Sequence, residues 1–123
     1  MKKKVVLIID DEEKILNILE EGLELKDTYE IEVSQTSSEF MDLVGQIKYD
    51  VLLLDHKMPG KNGSSLAQEI REKEGPNQNT PIIFISGYLK EVQREIGKIE
   101  DVYYIQKPII LNSITELIEK ITS

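Results

Sequence analysis

Val51-Leu52-Leu53-Leu54-Asp55-His56-Lys57-Met58-Pro59-Gly60-Lys61-Asn62-Gly63 passes from an unbroken apolar run into a polar loop with a Pro-Gly turn, and the change falls at Asp55. An apolar run this short and continuous suits a strand covered on both faces. The form recurs along the chain. Val5-Ile9 leads into Asp10-Asp11, Ile82-Ile85 into Ser86-Gly87, and Val102-Ile105 into Gln106-Lys107-Pro108. Between these runs, apolar residues return every three or four positions: Ile15, Leu19 and Leu23; Phe40, Val44 and Ile47; Leu66 and Ile70; Leu89, Val92 and Ile96; Ile110, Ile114, Leu117, Ile118 and Ile121. Short strands alternating with helical stripes are the pattern of βα units wound into a parallel sheet.

Strands are therefore predicted near 4–9, 30–34, 50–54, 81–85 and 102–105. The segment 30–34 alternates polar with apolar and is predicted to lie at an edge, whereas 5–9 and 51–54 read as central. Thr36 with Glu39 three residues on forms a capping box for the second helix. Gly75-Pro76 is expected to stop the third helix, with Asn77-Gln78-Asn79-Thr80 bridging to the next strand. Gly22 inside the first helix is a misfit of ~1 kcal/mol. At 123 residues, without repeat or linker, the expectation is one domain over 1–123.

Composition narrows the function. The formal net charge of −8 opposes nucleic-acid binding, and the one basic cluster, Lys2-Lys3-Lys4, reads as a solvated flank. Cysteine is absent, which removes disulfides and thiolate metal sites and favours a reducing cytoplasm. The Lys-rich start followed by Val5-Ile9 imitates a secretory signal, but the apolar run stops at Asp10, and no run reaches the ~20 residues of a membrane span.

In an open parallel sheet all strand C-termini share one edge, so Asp10, Asp11, Asp55, Ser86 and Lys107 are predicted to converge. Each has a plainer reading alone: Asp10-Asp11-Glu12-Glu13 as an acidic first helical turn, 55–63 as a polar loop, Lys107-Pro108 as the approach to a helix. Together, carboxylates supply hard oxygen ligands for a divalent cation, while an ammonium and a hydroxyl meet phosphoryl oxygens.

Asp10-Asp11, the run Asp55-His56-Lys57-Met58-Pro59-Gly60-Lys61-Asn62-Gly63, Ser86-Gly87 and Lys107-Pro108, in this order and spacing, resemble the receiver domain of two-component response regulators over nearly the whole chain. The resemblance implies a flavodoxin-like, doubly wound α/β fold: a five-stranded parallel sheet of order 2-1-3-4-5 with five helices. It implies that Asp55 accepts a phosphoryl group from a histidine kinase or phosphotransfer protein, forming an acyl phosphate. Asp11 and Asp55 would then bind Mg²⁺ directly, with the backbone carbonyl of Lys57 as a further ligand and Asp10 acting through coordinated water. Lys107 and Ser86 would hold phosphoryl oxygens, and Tyr104 matches an aromatic switch position. The signalling surface would be the fourth helix, fifth strand and fifth helix, near 89–97 and 102–121.

Two residues depart from expectation by their bulk: Lys57, two after Asp55, and Tyr88, two after Ser86. Both border the route of hydrolytic water and are expected to lengthen the life of the phospho-form. Lone His56 is expected to be an exposed loop residue. Because the fifth helix runs to the chain end, output through an unidentified downstream protein is expected, with the chain a monomer or a phosphorylation-dependent dimer and neither nucleic acid nor membrane a partner. A receiver piece of a larger regulator or hybrid kinase is the alternative. A haloacid-dehalogenase-like phosphatase is more remote, since those enzymes carry D-x-D-x-T where this chain has Asp10-Asp11-Glu12-Glu13.

Overall fold

The computed structural model describes residues 2–58 and 60–123; Met1 and Pro59, the latter part of the polar loop quoted above, lie outside them. Five strands and five helices alternate: β1 (Lys4–Ile9), α1 (Glu13–Glu24), β2 (Tyr29–Ser34), α2 (Ser37–Gln46), β3 (Val51–Asp55), α3 (Gly63–Glu72), β4 (Ile82–Ser86), α4 (Leu89–Ile96), β5 (Val102–Gln106) and α5 (Leu111–Thr122). All neighbouring strands pair in parallel, in the order β2-β1-β3-β4-β5. The predicted order and element count hold, and the alternating strand β2 is indeed at an edge.

Strand pleating divides the apolar runs between two cores. Val6, Ile8, Val51, Leu53, Ile83 and Ile85 face α1 and α5, where Leu16, Leu19, Leu23, Ile114 and Ile118 meet them. Leu7, Ile9, Leu52, Leu54, Ile82 and Phe84 face α2, α3 and α4. Both sides of β3 are thus covered, which is why its sequence shows no alternation.

Helix ends explain the small departures from expectation. The Thr36 side chain accepts a hydrogen bond from the Glu39 backbone at 3.2 Å, the N-cap half of the expected capping box. Helix α3 stops at Glu72, ahead of Gly75-Pro76, because the chain must turn early to deliver Asn77 beneath β3. There the buried Asn77 amide donates to the carbonyls of Val44 (2.7 Å) and Ile47 (2.6 Å), and its oxygen accepts from the Tyr49 backbone at 2.9 Å and Thr80 Oγ1 at 2.9 Å. Asn77 so closes the C-terminal end of α2 and aligns the entry of β3. Gly22 is no misfit in place: a Cβ there would lie 2.3 Å from Leu111 Cδ1, so the glycine lets α1 approach α5.

Replacing Asn77 deprives the Tyr49 N–H and the Val44 and Ile47 carbonyls of their partner, each worth about 1 kcal/mol or more, whereas Thr80 Oγ1 keeps Lys48 Nζ at 2.8 Å. Asn77→Ala should therefore lower the free energy of unfolding by roughly 2–4 kcal/mol. Urea titration followed by circular dichroism measures it; a loss below about 1 kcal/mol would show that water replaces the amide.

Candidate phosphoryl and metal site

The sheet topology sets the site. From β1 the chain crosses to β2 on one side and then returns past β1 to β3 on the other, opening a crevice at the C-terminal ends of β1 and β3. Asp10 follows Ile9, which pairs with Leu54, so Asp10 and Asp55 stand side by side. Asp55 closes β3 opposite Ile85, Ser86 closes β4 opposite Gln106, and the Lys107 backbone donates to the Ser86 carbonyl at 2.9 Å. All five predicted site residues are thus brought to one strand edge.

Carboxylate oxygens of Asp10, Asp11 and Asp55 lie within 4.8 Å of one another. Asp10 and Asp55 are buried, and Asp11 is exposed. Lys107 Nζ donates to Asp55 Oδ1 at 3.2 Å, while the Glu12 backbone donates to Asp10 Oδ1 at 2.9 Å. Burial foremost, opposed by the Glu12 N–H and reinforced by the Asp55 charge, pushes Asp10 up to about 6. Asp55 is also raised, by burial first, with Lys107 pulling the other way. Three ionised carboxylates and one ammonium leave two negative charges, which one divalent cation would neutralise. The oxygen donors and this charge suit a hard cation such as Mg²⁺.

Gly63, at the start of α3, has a steric role. Its N–H donates to the His56 carbonyl at 2.9 Å, and a Cβ would stand 2.9 Å from the Asp55 carbonyl oxygen and 3.3 Å from His56 Cα. Any side chain there would push on the backbone that carries Asp55.

The remaining predicted residues ring this edge. Ser86 is buried, and its Oγ accepts from the Tyr88 backbone at 3.0 Å. Tyr104 on β5 is half-buried, its ring stacked on Phe84 with centroids 6.0 Å apart. Lys57 arches across the loops: its ammonium lies 4.7 Å from the Tyr88 ring centroid and 3.5 Å from Glu91 Oε2. A groove of about 250 Å³ between α2 and α3 lies at the other end of β3, beside Asn77, and has no part in this constellation.

His56 contradicts expectation. It has 0% exposure, its ring set edge-on to Phe84 at 6.5 Å. Nε2 meets Glu95 Oε2 on α4 at 2.6 Å, and Ser64 Oγ donates to the same oxygen at 3.1 Å. Burial acting on Glu95 is outweighed by the hydrogen bonds of His56 and Ser64, which hold its carboxyl below the usual range. The exposed-loop reading failed because the partner that meets Nε2 lies on α4, far away in sequence. Only the alignment of β3 with α4 brings Glu95, Ser64 and His56 together.

A model of the response regulator receiver domain matches residues 6–119, and the chain belongs to that family. It is a receiver domain of two-component signal transduction. Solved structures share the fold. The CheY-like receiver domain from Methylobacillus flagellatus superposes with a TM-score of 0.85 at 19% identity, covering 98% of this chain and 99% of that one. The chemotaxis response regulator CheY4 of Vibrio cholerae gives 0.83 at 19% identity, with 98% and 99% covered. The receiver domain of a sensor histidine kinase from Pseudomonas aeruginosa PAO1, which has a magnesium ion coordinated in its active-site cleft, gives 0.85 at 21% identity, again with 98% and 99% covered. The family match runs against the dehalogenase-like alternative. No helix among the described residues is long and apolar enough to cross a membrane.

Two outcomes follow from the crevice. Because Asp10 is raised in the folded state from 3.8 to about 6, its contribution to metal-free stability is full below pH 4 and lost as pH rises towards 6. Asp10→Asn keeps an acceptor for Glu12, so relative to the parent it should gain roughly 1–3 kcal/mol above pH 6 and little at pH 4. Urea unfolding in EDTA at both pH values measures the difference; a pH-independent gain would remove Asp10 as its source. Gly63→Ala should destabilise by about 1–3 kcal/mol through overpacking, and crystallography or NMR shifts at Asp55 and His56 should register the backbone displacement.

Proposed function

We propose that residues 1–123 form one phosphoacceptor domain in which Asp55 takes a phosphoryl group from a histidine kinase or phosphotransfer protein. The observation that carries this reading is Asp55 itself: a buried carboxylate at a central strand end, 3.2 Å from an ammonium and clustered with Asp10 and Asp11. The Asp55 carboxylate attacks phosphorus, the donor's histidine nitrogen leaves, and an acyl phosphate forms. Lys107 stabilises oxygen charge on the transferring group, and Ser86 donates to another phosphoryl oxygen. Asp11, Asp55 and the Lys57 carbonyl would hold Mg²⁺, Asp10 acting through water; the ion would offset the repulsion between the carboxylates and an incoming dianion. The magnesium in the cleft of the Pseudomonas relative supports this assignment.

The domain acts as a signalling element rather than a turnover enzyme, and the absence of cysteine favours a cytoplasmic setting. Output runs through protein partners. Ser86 turning towards the phosphoryl group weakens its bond to the Tyr88 backbone, and Tyr104 beside Phe84 follows, altering the surface of α4, β5 and α5. That surface would serve a downstream protein or a second copy in a phosphorylation-dependent dimer.

Incubation with acetyl phosphate and Mg²⁺ should add one phosphoryl group by intact mass, and Asp55→Asn or EDTA should abolish the gain. Full labelling of Asp55→Asn would overturn the site. Asp11→Ala should weaken the Mg²⁺ requirement curve by about tenfold or more, as loss of a direct ligand implies. Lys57 and Tyr88 set the lifetime of the phospho-form by shielding its phosphorus from water. Lys57→Asn and Tyr88→Ala should each lose phosphate faster than the parent in a mass-resolved decay; equal decay in all three would reject shielding.

A further inference from the structure

Helix α4 is eight residues long and buries only Val92 and Ile96, so apolar packing alone holds it weakly. Its two ends are secured differently. At the first turn, the backbone of the cap residue Tyr88 donates to Ser86 Oγ, a neutral hydrogen bond of 3.0 Å, and the solvent-exposed Lys57 ammonium adds only a surface ion pair with Glu91 at 3.5 Å and a contact with the Tyr88 ring. At the last turn, Glu95 Oε2 accepts from His56 Nε2 at 2.6 Å and from Ser64 Oγ at 3.1 Å. Bonds to a carboxylate are roughly twice as strong as neutral ones. They also come from two other elements, the loop after β3 and the first turn of α3. His56 has no exposed surface and leaves Nδ1 buried without a partner among the described residues, so the Nε2–Glu95 contact is what orients the ring.

We propose that Glu95 is the fixed end of α4, a positioning residue that ties the last turn of the helix to the Asp55 segment through His56 and Ser64 and leaves the first turn as the end that moves. His56 is covalently next to Asp55 and touches Phe84, on which Tyr104 stacks, so the fixed end belongs to the same rigid body as the acidic crevice. Motion of α4 relative to the crevice is then a rotation about its C-terminal turn. The proposed phosphorylation enters only as the event that would draw Ser86 away from Tyr88. The anchor itself is a property of the unphosphorylated chain.

NMR-detected amide exchange on the full unphosphorylated protein tests the asymmetry. In Glu95→Ala, amides of Arg94, Glu95, Ile96 and Gly97 should exchange about tenfold faster or more, as loss of charge-assisted bonds implies, with Glu91 and Val92 close to the parent. Ser86→Ala should do the reverse, loosening Tyr88 to Val92 while the last turn stays protected. Glu95→Gln keeps an oxygen acceptor of the same reach but loses the charge, so it and Ser64→Ala should both fall between parent and Glu95→Ala. Unchanged protection of the last turn in Glu95→Ala, equal loosening of both ends in Ser86→Ala, or Glu95→Gln behaving as Glu95→Ala would each overturn the proposal. None of these measurements involves phosphoryl transfer, so failure of Asp55 to be labelled would sink the proposed function without touching them.

Discussion

Crowding of like charge at the C-terminal edge of the sheet is the constraint on which the site depends. Carboxylates within 4.8 Å of one another repel, and burying two of them adds a desolvation penalty. Residues in a flexible loop would relax apart. Here the two buried carboxylates are fixed, Asp55 by the β3 ladder and Asp10 by the start of α1 through the Glu12 N–H, and Lys107 is fixed by the β5 end docked on Ser86. The apolar cores on both faces hold those strand ends in register, so the folding free energy of the whole domain keeps an unfavourable cluster assembled. Such stored repulsion is what a bound cation would relieve.

The parts legible in the sequence are those governed by period and by topology. Continuous apolar runs identified β1 and β3 as central, alternation put β2 at the edge, and the parallel arrangement brought Asp10, Asp11, Asp55, Ser86 and Lys107 together without any contact having been known. Boundaries moved by a residue where the ladder continues through a polar side chain, as at Asp55 opposite Ile85 and Ser86 opposite Gln106. Those residues look like loop by composition and are strand by hydrogen bonding.

What stayed hidden was polar chemistry satisfied across long sequence separations. Asn77 reads as one residue of a turn, yet it closes α2 and seats the start of β3. His56 reads as solvated because histidine in a polar loop usually is, and only Glu95 and Ser64 make its burial tolerable. Gly22 reads as a weak helix position until Leu111 is known to occupy its missing side chain's space. In each case the local signal is neutral or misleading, and the deciding partner sits on an element whose alignment no periodicity specifies.

Lys57 joins these two kinds of residue. Its position after Asp55 follows from the sequence, but its side chain lies not over the carboxylates but against Tyr88 and Glu91. Both contacts are solvent-exposed, and an exposed cation–π contact with a surface ion pair amounts to about 1–2 kcal/mol together. A charge-assisted hydrogen bond to a phosphoryl dianion is worth ~1.5–3 kcal/mol. A phosphoryl group on Asp55 would therefore compete effectively for the ammonium, and withdrawing it from Tyr88 and Glu91 would remove a cross-link between the loop after β3 and the first turn of α4. The lysine proposed to screen the phosphoryl group would then loosen the end of α4 that Ser86 also holds, so the proposed shielding and signalling would draw on one small set of contacts at one edge of the sheet.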